Sequence, residues 1–271
     1  YKLIPSAQRV FSGLSNMRVG DTVLNAIQED FDQTVAVQPL PPEPVSPMQP
    51  RREIVLDNVG FSYPDARRTA LEGISLTIGI GTSVGLVGGT GAGKTTLVDI
   101  ILGLLHPSEG HMLVDGVAID KDNLRSWQQA LGYVPQSIFL ADTTVAENIA
   151  LGVRRDAIDM AKVEQCARMA QIHDFIVSEM PEGYETRTGE RGVRLSGGQR
   201  QRIGIARALY RDPSVLVLDE ATSALDTLTE KAVMESVQVL SRQKTIIMIA
   251  HRLSTVRPCD RIFMLDKGRL T

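Results

Sequence analysis

The sequence has few of the side chains that build disulfide frameworks and metal centres. Only two cysteines occur, Cys166 and Cys259, and they lie far apart and outside any CxxC spacing. The four histidines are scattered, and aromatic residues make up 4% of the chain. This composition argues against a disulfide scaffold and a zinc site, and it fits a reducing, cytosolic compartment.

Long hydrophobic runs and an excess of charge are missing as well. The longest apolar stretches, such as 246–250, are far shorter than the roughly 18 residues that a membrane helix needs. Tyr1–Ser6 lacks the basic start and the apolar core of a signal peptide. The 29 basic and 32 acidic side chains give a net charge of −3, which argues against a nucleic-acid partner. We expect a soluble polypeptide, and its abrupt start and stop predict a piece of a longer chain.

Three zones separate by composition. Apolar residues at helical spacing predict a helical segment over 1–37, with Gly20-Asp21 as a candidate point of division into two helices. Six of the thirteen prolines lie in the next stretch, and 38–52 is therefore predicted to be a semi-rigid, extended linker. Residues 53–271 are predicted to form one folded domain.

Short apolar runs alternate with helical patterns after the linker. Three runs predict strands of an outer, antiparallel sheet: Ile54–Leu56, Ser75–Ile78 and Met112–Val114. Four others are typical of strands buried on both faces of a parallel sheet: Ser83–Val87, Val215–Leu218, Thr245–Ile249 and Arg261–Leu265. A mainly helical stretch lies at about 137–210. The sequence predicts an α/β fold with a mainly parallel sheet, an antiparallel β subdomain and a helical subdomain.

The most specific local motif is a glycine-rich loop that fits G-x-x-x-x-G-K-[ST] between a strand pattern and a helix pattern. The loop and the residue after it are Gly88, Gly89, Thr90, Gly91, Ala92, Gly93, Lys94, Thr95 and Thr96. Glycines let backbone N–H groups turn towards a phosphate, and the helix N-terminus adds a favourable dipole. Lys94 is suited to reach the β and γ phosphates, and the Thr95 hydroxyl to ligate Mg²⁺. The motif predicts a P-loop NTPase core, a class that includes kinases, GTPases, helicases and transporters.

The second half of a nucleotide site is indicated by two acids at the end of an apolar strand. Asp219 is suited to hold Mg²⁺ through its water shell, and Glu220 is suited to orient or deprotonate a water molecule. A strand that ends in two acids is common on its own. In a chain that also carries a phosphate loop, it predicts the metal-binding and catalytic groups.

The run Leu195-Ser196-Gly197-Gly198-Gln199 narrows the class. A serine and paired glycines before a helix pattern suit anion binding at a helix N-terminus. With this run just upstream of the two acids, the chain resembles an ABC ATPase, a family whose signature is LSGGQ. The resemblance covers residues 53–271.

Four further residues match motifs of this family in the family order. The resemblance implies that Tyr63 stacks on adenine, and that Gln136 ligates the metal and links the nucleotide to a membrane part. Asp226 matches the loop that crosses between two nucleotide domains, and His251 matches the histidine that contacts the γ-phosphate. The implied catalytic residues are Glu220, His251 and Gln136, and the implied metal ligands are Thr95, Gln136 and Asp219.

The resemblance also implies ligands and partners. The ligands are ATP and Mg²⁺, held in a head-to-tail dimer between the phosphate loop of one copy and Ser196, Gly197, Gly198 and Gln199 of the other. One chain would then hold only half of a complete site. The implied partners are a second copy and the transmembrane domains of the same transporter, at the cytoplasmic face of the cell (inner) membrane.

Three stretches favour the exporter branch of the family. Thr188–Gly192 resembles the loop through which exporter-type domains contact membrane-domain couplings, and Thr143–Ile149 resembles the exporter stretch after the glutamine loop. Residues 1–36 are similar to the cytoplasmic end of the last membrane helix in exporters with fused domains. Leu3–Ser6 followed by Arg9-Val10 is similar to lipid-linked oligosaccharide flippases, which makes a lipid-linked substrate a candidate.

Two alternatives stay open. A soluble ABC ATPase of DNA repair or translation usually has two nucleotide domains or a long coiled-coil insertion, and this sequence shows one domain and no heptad run. A separate ATPase subunit of an importer is the second alternative. The helical segment and linker ahead of Glu53 argue against it.

Overall fold

The structure, a computed structural model, describes residues 3–35, 46–64, 68–193, 195–220, 230–231, 234, 244–250 and 253–271. Asp226 and His251 lie outside the described residues, as do the neighbours of Asp226. The chain divides into two units, Tyr1–Pro44 and Val45–Thr271. None of the helices in the described ranges combines the length and the apolar character that a membrane span requires.

Helix α1, Leu3–Val35, forms the described part of the first unit. It continues through Gly20 and Asp21, so the division expected there is wrong. A glycine inside a helix costs only about 1 kcal/mol relative to alanine, which is too little to interrupt a helix of this length. Its apolar side chains, Phe11 and Phe31 among them, are exposed.

Two sheets form the scaffold of the second unit. The first is antiparallel with strand order β2-β1-β4-β5, and the second has the order β10-β9-β3-β8-β7-β6. The strands of the first sheet are β1 Glu53–Phe61, β2 Leu71–Gly79, β4 Glu109–Val114 and β5 Val117–Ala118. Those of the second are β3 Ser83–Gly88, β6 Leu131–Val134, β7 Val215–Asp219, β8 Thr245–Ile249, β9 Arg261–Asp266 and β10 Arg269–Leu270. The second sheet is parallel apart from β10, which pairs antiparallel with β9.

The central strands of the second sheet are buried on both faces, as their apolar runs predict. Along β7, Val215 and Val217 join one apolar cluster, whereas Leu216 and Leu218 join the other. Since successive side chains of a strand point to opposite faces, the sheet separates the two clusters. One cluster includes the buried apolar side chains of the antiparallel sheet, and the other includes those of the stretch 140–210.

The helices of the second unit are α2 Lys94–Ile101, α3 Leu124–Gln129, α4 Val145–Ile149, α5 Met160–Met169, α6 His173–Glu179, α7 Gly197–Tyr210 and α8 Leu253–Val256. Short 3-10 helices form at Arg155–Ala157, Gly183–Glu185 and Glu190–Gly192. Helices α4 to α7 lie between β6 and β7 in the chain, which confirms the helical subdomain of the predicted fold class.

Two sheet expectations need correction. The run Arg261–Leu265 forms the parallel strand β9, but it is not buried on both faces, because Ile262 is 44% and Met264 54% exposed. In addition, β6 was not predicted as a strand. It has only four residues and precedes Pro135, so its strand character comes from its pairing with β7 rather than from a local pattern.

The described end of the proline-rich stretch, 46–52, belongs to the second unit and is held there by hydrogen bonds. The N–H of Met48 donates to the carbonyl of Ser126 at 2.8 Å. The N–H groups of Arg51 and Arg52 donate to the Asp115 carboxylate at 2.7 and 2.8 Å. These bonds set the point at which the chain enters β1.

Candidate nucleotide site

The phosphate loop joins β3 to α2 at the carboxyl end of the parallel strands. Lys94 opens helix α2 and is only 6% exposed. Its ammonium donates to the carbonyls of Gly88 and Gly89 at 2.8 and 3.0 Å, so it lies across the loop. The first N–H groups of a helix have no carbonyl partner within the helix, and they are therefore suited to bind an anion.

Gly93 shows why the loop requires glycine. Its φ of 100° is a conformation that residues with side chains rarely adopt. A Cβ atom at this position would lie 2.8 Å from the carbonyl oxygen of Ala70. The loop is therefore packed against the segment before β2, and a larger residue would force the two apart.

A cleft of about 760 Å³ opens beside the loop. It is lined by Tyr63, Arg68, Thr69, Ala70, the residues Thr90 to Thr96, Gln136, Glu220, Ile249, Lys267 and Gly268. At one side the Tyr63 hydroxyl is 3.2 Å from Thr96 Oγ1, and the Tyr63 ring meets Phe61 edge-to-face at 4.9 Å between centroids. An aromatic face and a phosphate-binding loop thus border one cavity, which suits a nucleotide.

One of the two predicted acids, Glu220, meets the predicted glutamine at the same cleft. Strand β7 ends at Asp219, and Glu220 follows with a φ of 48° and donates its N–H to Ile249 O at 3.1 Å. Gln136 follows the neighbouring strand β6. Its Nε2 donates to Glu220 Oε2 at 2.7 Å. Parallel pairing of β6 with β7 therefore joins two residues that are 84 positions apart.

The electrostatics around Asp219 favour a cation. Burial raises the pKa of the Asp219 carboxyl, and the charge of Glu220 raises it further, whereas a hydrogen bond from Tyr133 lowers it. The Tyr133 hydroxyl lies 3.4 Å from Asp219 Oδ2, and burial together with Asp219 raises the pKa of Tyr133 to about 12. A cation beside the two adjacent acids would relieve this accumulation of negative charge.

The predicted magnesium ligands fit that ion. Thr95 and Gln136 both line the cleft. Asp219 is the last residue of β7, and the next residue, Glu220, lines the cleft as well. No cluster of three or more His, Cys, Asp or Glu side chains that could hold a metal occurs among the described residues. Magnesium does not need one, because it is usually held through one or two carboxylates and fills the rest of its shell with water and phosphate oxygens.

The Ser196–Gln199 run begins helix α7 and lines a different part of the surface. Ser196 Oγ accepts the N–H of Gln199 at 3.2 Å, and Gln199 Oε1 accepts the N–H of Ser196 at 2.8 Å. This capping box fixes the first turn of the helix. None of the four residues lines the 760 Å³ cleft.

The two exporter-like stretches lie together. The N–H of Thr188 donates to Thr143 O at 3.0 Å, and Asn148 Nδ2 donates to Thr188 Oγ1 at 3.4 Å. The guanidinium of Arg207, on α7, donates to Asn148 O at 2.8 Å. Hydrogen bonds thus connect these stretches to α7, the helix that Ser196 caps.

Several residues that line the cleft were not identified as site residues from the sequence: Arg68, Thr69, Ala70, Ile249, Lys267 and Gly268. Tyr133, which contacts Asp219 beside the cleft, was not identified either. Tyr133 comes three residues before Gln136 on β6, so recognising that strand would have indicated it. Arg68 and Lys267 reach the cleft through tertiary packing, and no local pattern announces them.

Residues 71–223 match the family described as ABC transporter. The chain is 46% identical over 236 residues to the "ATP-dependent lipid A-core flippase" of Cupriavidus metallidurans, an alignment covering 84% of this chain and 40% of that protein. It is 44% identical over 220 residues to the "ATM1-type heavy metal exporter" of Novosphingobium aromaticivorans, covering 81% of this chain and 36% of that protein. Among solved structures, that of a bacterial Atm1-family ABC exporter with ATP bound superposes with a TM-score of 0.80 at 40% identity, covering 92% of this chain and 43% of the other. The chain thus spans less than half the length of these relatives.

Proposed function

The chain belongs to the ABC transporter family, and from this membership we propose that it is the ATP-hydrolysing domain of an exporter. In this proposal, ATP-driven dimerisation and hydrolysis are coupled to the movement of a substrate across the membrane. The observation that carries the proposal is the 2.7 Å bond between Gln136 and Glu220 in the cleft that the phosphate loop lines. It joins the proposed general base to a proposed ligand of the metal.

Each residue of the cleft has a role in this proposal. Tyr63 stacks on the adenine, and Lys94 moves from the loop carbonyls to the β and γ phosphates. Glu220 orients and deprotonates the attacking water, a general-base contribution of typically 10²–10⁴-fold. Gln136 holds Glu220 through its Nε2, while its Oε1 remains available as a ligand. His251 contacts the γ-phosphate by family resemblance.

Magnesium would be held by Thr95, Gln136 and Asp219. When bound, the ion would neutralise charge on the transferring phosphoryl group. The chain's own contribution is to keep these oxygens at one edge of the sheet, at the ends of β3, β6 and β7. Such positioning, together with electrostatic stabilisation, supplies most of the catalysis in phosphoryl transfer.

The site is completed by a second copy of the chain. Because Ser196–Gln199 do not line the cleft of their own chain, the proposed γ-phosphate contacts of Ser196 and Gly198 must come from a partner. Asp226 would lie at the same interface. Hydrolysis removes the phosphate that both copies hold, and the dimer then opens.

An exporter is favoured over the soluble and importer alternatives by the names of the relatives, a flippase and an exporter. The membrane domains would contact the exporter-like stretches Thr143–Ile149 and Thr188–Gly192, at the cytoplasmic face of the inner membrane. A lipid-linked substrate is supported by the similarity to the lipid A-core flippase. Reading the gene upstream of Tyr1 tests this assignment: five or six apolar spans support it, and a start codon near residue 1 favours a separate subunit.

Glu220→Gln tests the catalytic assignment. The variant should bind ATP, lose about 100-fold or more of its hydrolysis rate, and elute as an ATP–Mg²⁺-dependent dimer in size exclusion. The exposed Glu179, which lies on α6 away from the cleft, provides the control variant Glu179→Gln with wild-type turnover. Wild-type turnover in Glu220→Gln would remove Glu220 from the assigned role.

A further inference from the structure

The turn between β9 and β10 is an unusual place for a lysine. Asp266 pairs with Arg269, so Lys267 and Gly268 form a two-residue hairpin turn. Both have positive φ values, 48° and 80°. Glycine, asparagine and aspartate are the residues that such a turn favours, because other side chains crowd the backbone in the left-handed conformation. Local preference therefore does not explain Lys267.

The turn is docked on the phosphate loop. The N–H of Gly268 donates to Ala92 O at 3.0 Å, and Gly268 O accepts the N–H of Glu72 at 2.8 Å. A Cβ at position 268 would lie 2.7 Å from Ala70 O. The turn thus holds a fixed position between the loop and the start of β2.

Because of this docking, the Lys267 side chain lines the cleft. No other role is evident for its positive charge. Lys267 lines the same cavity as Tyr63 and Lys94, and its side chain is exposed. Among the described residues it has no hydrogen-bond or ion-pair partner, whereas the adjacent Arg269 pairs with Glu72. Lys94, by contrast, is engaged with the loop carbonyls.

We propose that Lys267 is a nucleotide-binding residue, whose ammonium attracts the polyphosphate of a nucleotide in the cleft. The inference rests on the proposed function, since it adds a residue to the same site. A triphosphate carries several negative charges, and an unpaired ammonium on the wall of its cavity lowers the free energy of binding. Because Lys267 is exposed, the effect is modest and is screened by salt.

Removing the charge without disturbing the turn provides the test. Lys267→Asn replaces the lysine by a residue that accepts the left-handed conformation, so a loss of binding cannot come from a strained turn. We expect its Kd for ATP–Mg²⁺, measured by calorimetry in low salt, to rise about two- to fivefold over wild type, in the range of an exposed ion pair. Lys267→Glu should raise the Kd further. The control is Lys121→Gln, which removes an exposed lysine that does not line the cleft.

Salt dependence separates attraction from packing. The difference between Lys267→Asn and wild type should shrink at high ionic strength, and the slope of log Kd against log salt should fall. An Asn variant that binds ATP as tightly as wild type, or a loss of binding that persists at high salt, would overturn the inference while leaving the proposed function intact. A wild-type chain that binds no ATP would instead overturn the proposed function, and this inference with it.

Discussion

The phosphate loop and the Ser196–Gln199 run are both glycine-containing helix starts, and they differ in what surrounds them. The phosphate loop at α2 borders a cleft that is also lined by an acid, a glutamine and an aromatic ring, and a second acid directly precedes the first at the end of β7. The run at α7 closes on itself through a capping box, and none of its four residues lines that cleft. A helix start becomes a ligand site only where other groups face it. In the proposed function, the groups that face the second run belong to a second copy of the chain.

The largest expected effect is on the phosphate-loop side. Lys94→Ala removes a buried ammonium, and charge-assisted hydrogen bonds are worth about 1.5–3 kcal/mol each. We expect ATP affinity to fall by about 100-fold or more in equilibrium binding, with Lys121→Ala as the unaffected control. Retained micromolar binding would contradict the assignment of the loop.

The second expected effect distinguishes the phosphate loop from the Ser196–Gln199 run, because it concerns dimerisation rather than ATP binding. Ser196→Ala should leave ATP binding to a single chain unchanged, because the residue does not line the cleft, and should prevent the ATP-dependent dimer of Glu220→Gln. Its own structural cost is the lost cap, about 1 kcal/mol. Thr144→Ala removes the equivalent cap of α4 and is the matched control for that cost. The comparison fails if both variants dimerise equally well, measured by size exclusion with ATP–Mg²⁺.

The smallest expected effect concerns the scaffold that holds the loop. The Asp260 carboxylate accepts the N–H and the hydroxyl of Ser83, each at 2.7 Å, where β3 begins. These hydrogen bonds hold the pKa of Asp260 below its ordinary range. Asp260→Asn should lower the free energy of unfolding by about 1 kcal/mol at neutral pH in urea titrations, after allowance for solvent screening.

The sign of the pH dependence follows from that lowered pKa. The contribution of a carboxyl whose pKa is lowered by folding is present above its ordinary pKa and is lost as the pH falls through the folded value. The difference in the free energy of unfolding between wild type and Asp260→Asn should therefore disappear only in strongly acidic solution. A gap that already closes between pH 7 and pH 5 would show that the bonds to Ser83 are not its cause.

The sequence predicted those parts of the fold whose conformation depends on neighbouring residues in the chain. The phosphate loop and the buried strands β3, β7 and β8 follow from residue type and spacing within a few positions. Strand β6 does not, because it depends on the strand that lies alongside it. The exposure of β9 does not either, because it depends on what packs against the faces of the sheet. The division of α1 at Gly20 was wrong because length and cooperativity outweighed one glycine.

The same distinction holds for the site. Lys94 and Glu220 are recognisable within their own motifs, whereas the bond from Gln136 to Glu220 needs the parallel pairing of β6 with β7. Lys267 reaches the cleft only because a hairpin more than 170 residues later docks on Ala92. Contacts of that range carry no signal in a single sequence.

The short strand β6 has a mechanical consequence. It is the last strand of its sheet order, hydrogen-bonded to β7 alone among the described strands, and the chain that leaves it carries Gln136. The segment after Val134 is connected to Glu220 by the 2.7 Å hydrogen bond from Gln136. A displacement of this segment would therefore move Glu220 without a change in the buried middle of the sheet. If Glu220 is the general base, as proposed, a small tilt of β6 would change the distance between this base and the attacking water.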